Sequence, residues 1–156
     1  MIKKIFLLIL IIFGVTNCGY APMLSQNNKF NFTIVNLELL GNKTINNFFE
    51  KKLNQYSNSS NDKKYKILIN SDYQKINVAK DSTGNVTNIK LVTTIDVTYS
   101  LYNELKNQEN KISFSESVLI KKNENTFEQN NYERNVLNNL LQLLLNKLIF
   151  HLSKEE

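Results

Sequence analysis

Between Leu91 and Leu101 apolar and polar residues alternate without a break. Leu91, Thr93, Ile95, Val97, Tyr99 and Leu101 share one parity, and Val92, Thr94, Asp96, Thr98 and Ser100 share the other. A period of two over that length predicts a long strand, Leu91 to Asn103, with one buried face. Lys29 to Val35 alternates in the same way, with Phe30, Phe32 and Ile34 on one side, and predicts a short half-buried strand. Tyr65, Ile67, Ile69 and Tyr73 mark a third. There the parity changes at Gln74–Lys75 and Ile76 and Val78 take over, a shift of one that predicts a bulge or a strand break. Ile112, Phe114, Val118 and Ile120 mark a fourth strand, interrupted on its apolar face by Glu116.

Two segments carry the helical period instead. Ile45, Phe48, Phe49, Lys52 and Tyr56, with Leu53 alongside, predict an amphipathic helix over 43–56. Val136, Leu137, Leu140, Leu141, Leu144, Leu148, Ile149 and Leu152 form a broad stripe, opposite Asn138, Asn139, Gln142 and Asn146. Thr126-Phe127-Glu128-Gln129 before it fits a capping box, with Thr126 as N-cap and Gln129 reaching back. Gly41-Asn42, the polar 57–63, Asp81-Ser82-Thr83-Gly84-Asn85 and the stretch 107–110 punctuate the chain.

The resulting order is β-α-β-β-β-α. It predicts an α+β fold, a four-stranded mostly antiparallel sheet packed by two helices, because a leucine stripe must cover something and the sheet is the available partner. No stretch of these elements reaches the length of a membrane span without polar interruption.

The first seventeen residues obey a different rule. Lys3 and Lys4 precede an unbroken apolar run, Ile5 to Phe13, of nine residues. A spanning helix needs about 20 apolar residues, so the run has the dimensions of a secretory signal. The alternative, a buried N-terminal element, would have an odd start in two lysines. Val15-Thr16-Asn17-Cys18 resembles a bacterial lipobox, although Asn17 stands where Gly or Ala is usual. That resemblance implies cleavage before Cys18 and acylation of its thiol, which anchors the chain to a membrane. Each buried CH₂ contributes about 0.8 kcal/mol, so several acyl chains hold stably where one does not. The chain therefore divides into a signal peptide (1–17), a lipidated tether (18–28) and a single α+β domain (29–156).

Composition changes this picture little. Of 156 residues, 42% are hydrophobic and 21% charged, as in ordinary globular domains. Formal charge is +5; without Lys3 and Lys4 the mature chain has 17 basic against 14 acidic residues, or +3. Arg134 is the only arginine. Such a lysine surface tolerates anionic partners but lacks the arginine clusters of nucleic-acid readers, so no nucleic-acid partner is expected. Candidate chemistry is sparse. His151 is the only histidine and Cys18 the only cysteine, too few for a zinc site or a Ser-His-acid triad. No phosphate-binding or dinucleotide loop is present. The expectation is no catalytic residue, no metal and no cofactor.

The ordered set of features resembles one family. A lipoprotein signal leads into Cys18-Gly19-Tyr20-Ala21-Pro22. The long strand ends Tyr99-Ser100-Leu101-Tyr102-Asn103. Phe114 to Lys122 and Asn131-Tyr132-Glu133 lead into the last helix. Together they are similar to the LPS-assembly lipoprotein family, LptE. Asn103 stands where that family often has an acid, and the family's arginines are nearly absent here. The resemblance implies a non-enzymatic outer-membrane protein, facing the periplasm and held by acylated Cys18. It would plug and help assemble the LPS-translocating barrel LptD and contact lipopolysaccharide. Lys64, Lys66, Lys90, Lys111, Lys121 and Lys122 become candidate phosphate contacts. Two alternatives remain at this point: a free-standing periplasmic lipoprotein that binds another envelope protein or the cell wall, and a small hydrolase.

Overall fold

The computed structural model describes residues 31–57, 61–102 and 108–155. The signal, Cys18, the tether with Phe30, Asn103 and most of the turn before Asn110 lie outside the described residues. In chain order the elements are β1 (Phe32–Gly41), α1 (Lys43–Leu53) with a 3₁₀ turn (Asn54–Tyr56), β2 (Lys63–Lys80), β3 (Val86–Leu101), β4 (Asn110–Lys121) and α2 (Thr126–Lys154). The sheet order is β1-β2-β3-β4. β1 runs parallel to β2 across the α1 crossover, and the other two pairings are antiparallel. The expected α+β class, element order and sheet are the observed ones.

β1 runs past Val35 to Gly41 because a bulge between Ile34 and Asn36 resets its parity. Phe32 and Ile34 face the core before the bulge, and Leu37 and Leu39, paired with Ile67 and Ile69, continue that face after it. At the strand end Gly41 has φ +91°, and a Cβ there would stand 2.0 Å from the Ser71 carbonyl oxygen. Only glycine passes so close. Asn42 then caps α1, its Oδ1 accepting from the Thr44 and Ile45 amides at 3.0 and 3.3 Å.

β2 is continuous through Gln74–Lys75, contrary to the predicted break there. Tyr73, Lys75 and Asn77 keep the parity of Tyr65, and the pairing with β3 first slips between Asn77 and Lys80. The reason lies on α2: Lys75 faces the helix side and Glu133 receives its ammonium at 2.5 Å. Ile76 and Val78 therefore point outward, 43% and 53% exposed. Glu116, the polar interruption in β4, is likewise matched by Lys147 of α2.

The N-cap of α2 is Asn125, one residue before the predicted Thr126. Its Oδ1 accepts from the Phe127 and Glu128 amides at 3.0 and 3.3 Å. Asparagine competes well for this role, and Gln129, instead of closing a box on the cap, accepts the Asn123 amide at 2.7 Å. Leu137, Leu140, Leu141, Leu144, Leu145, Leu148, Ile149 and Leu152 are buried, so the stripe covers the sheet as expected, with Leu145 added. α1 buries Ile45, Phe49 and Leu53 on the same side.

Candidate functional site

With both helices on one side, the other face of the sheet is open among the described residues. Outward side chains of β2, β3 and β4 are exposed or half-exposed throughout. The registers lay them out in rows: Lys66 beside Ser100, Leu68 beside Thr98 and Lys111, Asn70 beside Asp96 and Ser113, Asp72 beside Thr94 and Ser115. The middle of the face is thus short, hydroxylated and polar. Thr94 and Ser115 bond across the strands at 3.0 Å. Such small polar groups leave main chain and hydroxyls within reach of a wet, hydrogen-bonded partner.

The six candidate lysines fall at the two ends of this face. Lys64, Lys66 and Lys111 stand at one end, where a hollow of about 340 Å³ is lined by Glu38, Lys66, Thr98, Glu109 and Lys111 among others. The Lys66 ammonium sits over the Tyr102 ring at 5.1 Å. Carboxylates and an aromatic ring already face these cations. Lys90, Lys121 and Lys122 stand at the other end: Lys121 is ten residues beyond Lys111 on β4, about 33 Å at 3.3 Å per residue, and Lys90 lies opposite Leu119, eight residues beyond Lys111. One lipid headgroup cannot bridge the two sets.

The second set has company that the sequence pattern did not reveal. Ile76, Lys90 and Leu119 form one cross-strand row on the outer face. Leu119 is 56% exposed, and Val92 and Val78 lie beside the row. Aliphatic side chains interleaved with ammonium groups match an amphiphile with anionic headgroups. The available signal was parity: Ile76, Val78 and Leu119 each stand out of step with the core-facing residues of their strands.

His151 lies on the covered side, at the core edge. Its Nε2 is 2.8 Å from the Tyr99 hydroxyl, and its ring meets Tyr99 and Phe114 edge-on. Tyr99 also donates to the Glu155 carboxylate. Burial, and then the bond to Glu155, push the Tyr99 hydroxyl far above its ordinary range. An activated nucleophile is shifted the other way. The cluster, together with Tyr65 donating to the Leu152 carbonyl at 3.3 Å, fastens the end of α2 to the sheet. Among the described residues no group of three or more His, Cys, Asp or Glu side chains is placed to hold a metal ion. No described helix is long and apolar enough to cross a membrane.

A solved structure shares this fold. A Caulobacter crescentus CB15 protein, provisionally described as a lipoprotein, superposes with a TM-score of 0.53, covering 75% of this chain and 87% of its own at 12% identity. At that identity the likeness is one of fold. Rare lipoprotein B from Shewanella oneidensis aligns over 76% of this chain and 87% of its own at 14% identity, with a TM-score of 0.39, too loose to carry argument. No family model matches the sequence, and no curated protein matches it.

Proposed function

We propose that the chain is a lipid-anchored outer-membrane protein of the LPS-assembly type. Acylated Cys18 holds it, and the domain seats in the lumen of a large LPS-translocating barrel, LptD, which it plugs and helps assemble. The observation that carries this reading is the open, hydroxyl-rich sheet face, taken together with the lipoprotein signal that the sequence before Cys18 resembles. A wide barrel has a polar lumen that must be filled to prevent leakage, and a two-layer domain with one uncovered polar face has the surface for it. The reading is non-enzymatic: the domain's role is contact and shape. At the far end of the face, Lys90, Lys121 and Lys122 would meet lipid A phosphates as point charges, while Ile76, Val78 and Leu119 meet acyl chains. The rival end has two carboxylates, Glu38 and Glu109, in its hollow, against Glu124 alone beside Lys121 and Lys122, and is less suited to an anion.

The test is depletion of the protein from its own host, with outer membranes crosslinked and analysed by mass spectrometry beforehand. The expected partner is a very large barrel, and depletion is expected to lower assembled barrel and surface LPS together. Recovery with a different envelope protein or with the cell wall, and normal surface LPS after complete depletion, would overturn the proposal.

A further inference from the structure

β1 is an edge strand: it pairs with β2 on one side, and no described strand pairs with the other. Along residues 35–40 of such a strand, every second residue turns its N–H and C=O away from the sheet, where another main chain can pair. Beside this edge runs a groove of about 500 Å³ between β1 and α1. Leu37, Leu39 and Leu53 are among its lining. Leu37 and Leu39 remain half-buried although their lateral neighbours Ile67 and Ile69 are fully covered. The groove is therefore the place where the core reaches the surface. Its other wall is the ridge of Asn46 and Glu50 on α1 and Asn54 at the start of the 3₁₀ turn, spaced four apart. Among the described residues, Glu50 is the only charged one in the lining.

A strand edge that no described strand covers along residues 35–40, an apolar floor and a helical wall are the parts of a strand-addition site. We infer that the β1–α1 groove binds an extended segment of a partner protein. The segment pairs its backbone with residues 35–40, sets aliphatic side chains at alternate positions over Leu37 and Leu39, and brings a lysine or arginine to Glu50. Alternation fixes the recognition pattern, because side chains two apart on a strand lie on the same face about 6.6 Å from each other. A second copy of this chain fits less well. Antiparallel pairing that sets Leu37 against Leu39 of the second copy also sets Glu38 against Glu38 of that copy, and like charges directly opposite are destabilising. This surface lies at the sheet margin on the helix side, apart from the open face, and the inference does not rest on the barrel reading.

The experiment uses the whole chain and a synthetic nonapeptide, Thr-Val-Thr-Leu-Thr-Lys-Thr-Val-Thr, whose Val, Leu, Lys and Val share one face. Binding is followed by peptide fluorescence anisotropy and by amide shifts. The expected result is saturable binding, with shifts confined to residues 35–40 and 46–54. Methylating the peptide amides that face β1 should abolish it. Glu50→Lys should weaken it about two- to fivefold, the range of one exposed ion pair, and a peptide with Glu in place of Lys should recover that loss on the variant. Equal binding of the methylated peptide, or none at millimolar concentration, overturns the proposal. So do proximity signals in the free chain between residues 19–30 and Leu37 or Leu39, which would make the groove's occupant the chain's own tether. Concentration-dependent dimerisation through β1 would overturn it as well.

Discussion

Lys75 of β2 and Glu133 of α2 form an ion pair across the sheet–helix layer, Nζ to Oε1 at 2.5 Å. Glu133 also accepts from the Gln129 side chain at 2.6 Å, so its carboxylate is held from two directions. Half of the pair is exposed, with Lys75 at 42% and Glu133 at 13% side-chain accessibility, and water screens it accordingly. A double-mutant cycle of Lys75→Met and Glu133→Gln should give a coupling of about 0.5–1 kcal/mol, near the upper end for such pairs. The coupling should shrink in 1 M salt. A coupling of zero at low salt would show that the pair sets strand parity without adding stability.

The leucine stripe should bear much more of the load. Leu141 and Leu148 are fully buried, and a Leu→Ala change in a tight core costs about 2–5 kcal/mol. Against a total stability of roughly 5–15 kcal/mol, Leu141→Ala with Leu148→Ala should unfold much of the population at room temperature. Asn139→Ala, on the exposed side of the same helix, should change little. Circular dichroism melts of the three proteins check this. Unchanged melting of the double variant would mean that the stripe contributes nothing to this domain's stability.

Thr93 invites a change in the other direction. Its side chain is fully buried on the core face of β3, and its hydroxyl has no hydrogen-bond partner among the described residues. Burying an unmet hydroxyl costs about 1–3 kcal/mol. Thr93→Val keeps the shape and removes the hydroxyl, so the urea midpoint should rise by the equivalent of about 1 kcal/mol at an unchanged slope. A fall instead would place a bound water or an unseen acceptor at the hydroxyl.

Stability at alkaline pH should be governed by tyrosines. Burial raises the hydroxyls of Tyr56, Tyr65, Tyr73 and Tyr99 above the ordinary value of 10.0, and Tyr99 most of all, through its bond to Glu155 as well. A raised folded-state value means that the unfolded chain ionises first. The stabilisation is complete below pH 10 and is lost as pH rises above it, toward the folded-state value. Each such group steepens the decline by up to about 1.4 kcal/mol per pH unit. Tyr99→Phe removes one of them, so its urea midpoints between pH 9 and 11 should fall less steeply than those of the parent, although its stability at pH 7 is lower. Parallel slopes would mean that Tyr99 ionises alike in both states.

Much of this architecture was legible in the sequence, because burial imposes its period on the residues that face the core. The alternation of Leu91 to Leu101 and the stripe from Leu137 to Leu152 gave strand and helix directly. Where strands depart from the sequence pattern, they depart in parity. A change of phase at Gln74–Lys75 reads as a bulge when Ile76 and Val78 are assumed to face inward. It reads as a continuous strand once Lys75 has Glu133 to meet, and that partner is 58 residues away in sequence. The bulge in β1 leaves little trace in the sequence because Leu37 and Leu39 lie only half-covered at the sheet margin and their alternation is faint. The cap of α2 falls one residue before the one the sequence predicts, since Asn125 and Thr126 are both competent caps and the choice depends on backbone geometry. The lysines were visible as residues, but not as two sets, because only the registers of β2, β3 and β4 show which of them share an end.

That division gives the sharpest test of how the open face is used. Lys90 stands between Ile76 and Leu119, with Lys121 and Lys122 nearby, whereas Lys66 and Lys111 line a hollow that also holds Glu38 and Glu109. If the face meets an anionic lipid, the end with aliphatic neighbours, where the hollow around Lys121 and Lys122 holds the single carboxylate of Glu124, should carry the contact. Reversing Lys90, Lys121 and Lys122 to glutamate should then weaken LPS binding, while reversing Lys64, Lys66 and Lys111 should have a much smaller effect. A unit-charge contact near 4 Å in water-like surroundings is worth on the order of 1 kcal/mol. Three lost contacts therefore lower affinity on the order of a hundredfold at low salt. The gap between parent and variant should narrow as salt rises, since at 0.1 M the screening length is already about 10 Å. Binding to purified LPS, measured by light scattering or anisotropy across a salt series, separates the outcomes. An equal loss from both triples would point to diffuse attraction by the chain's net positive charge. A larger loss from the Lys64 set would move the lipid contact to the opposite end of the sheet.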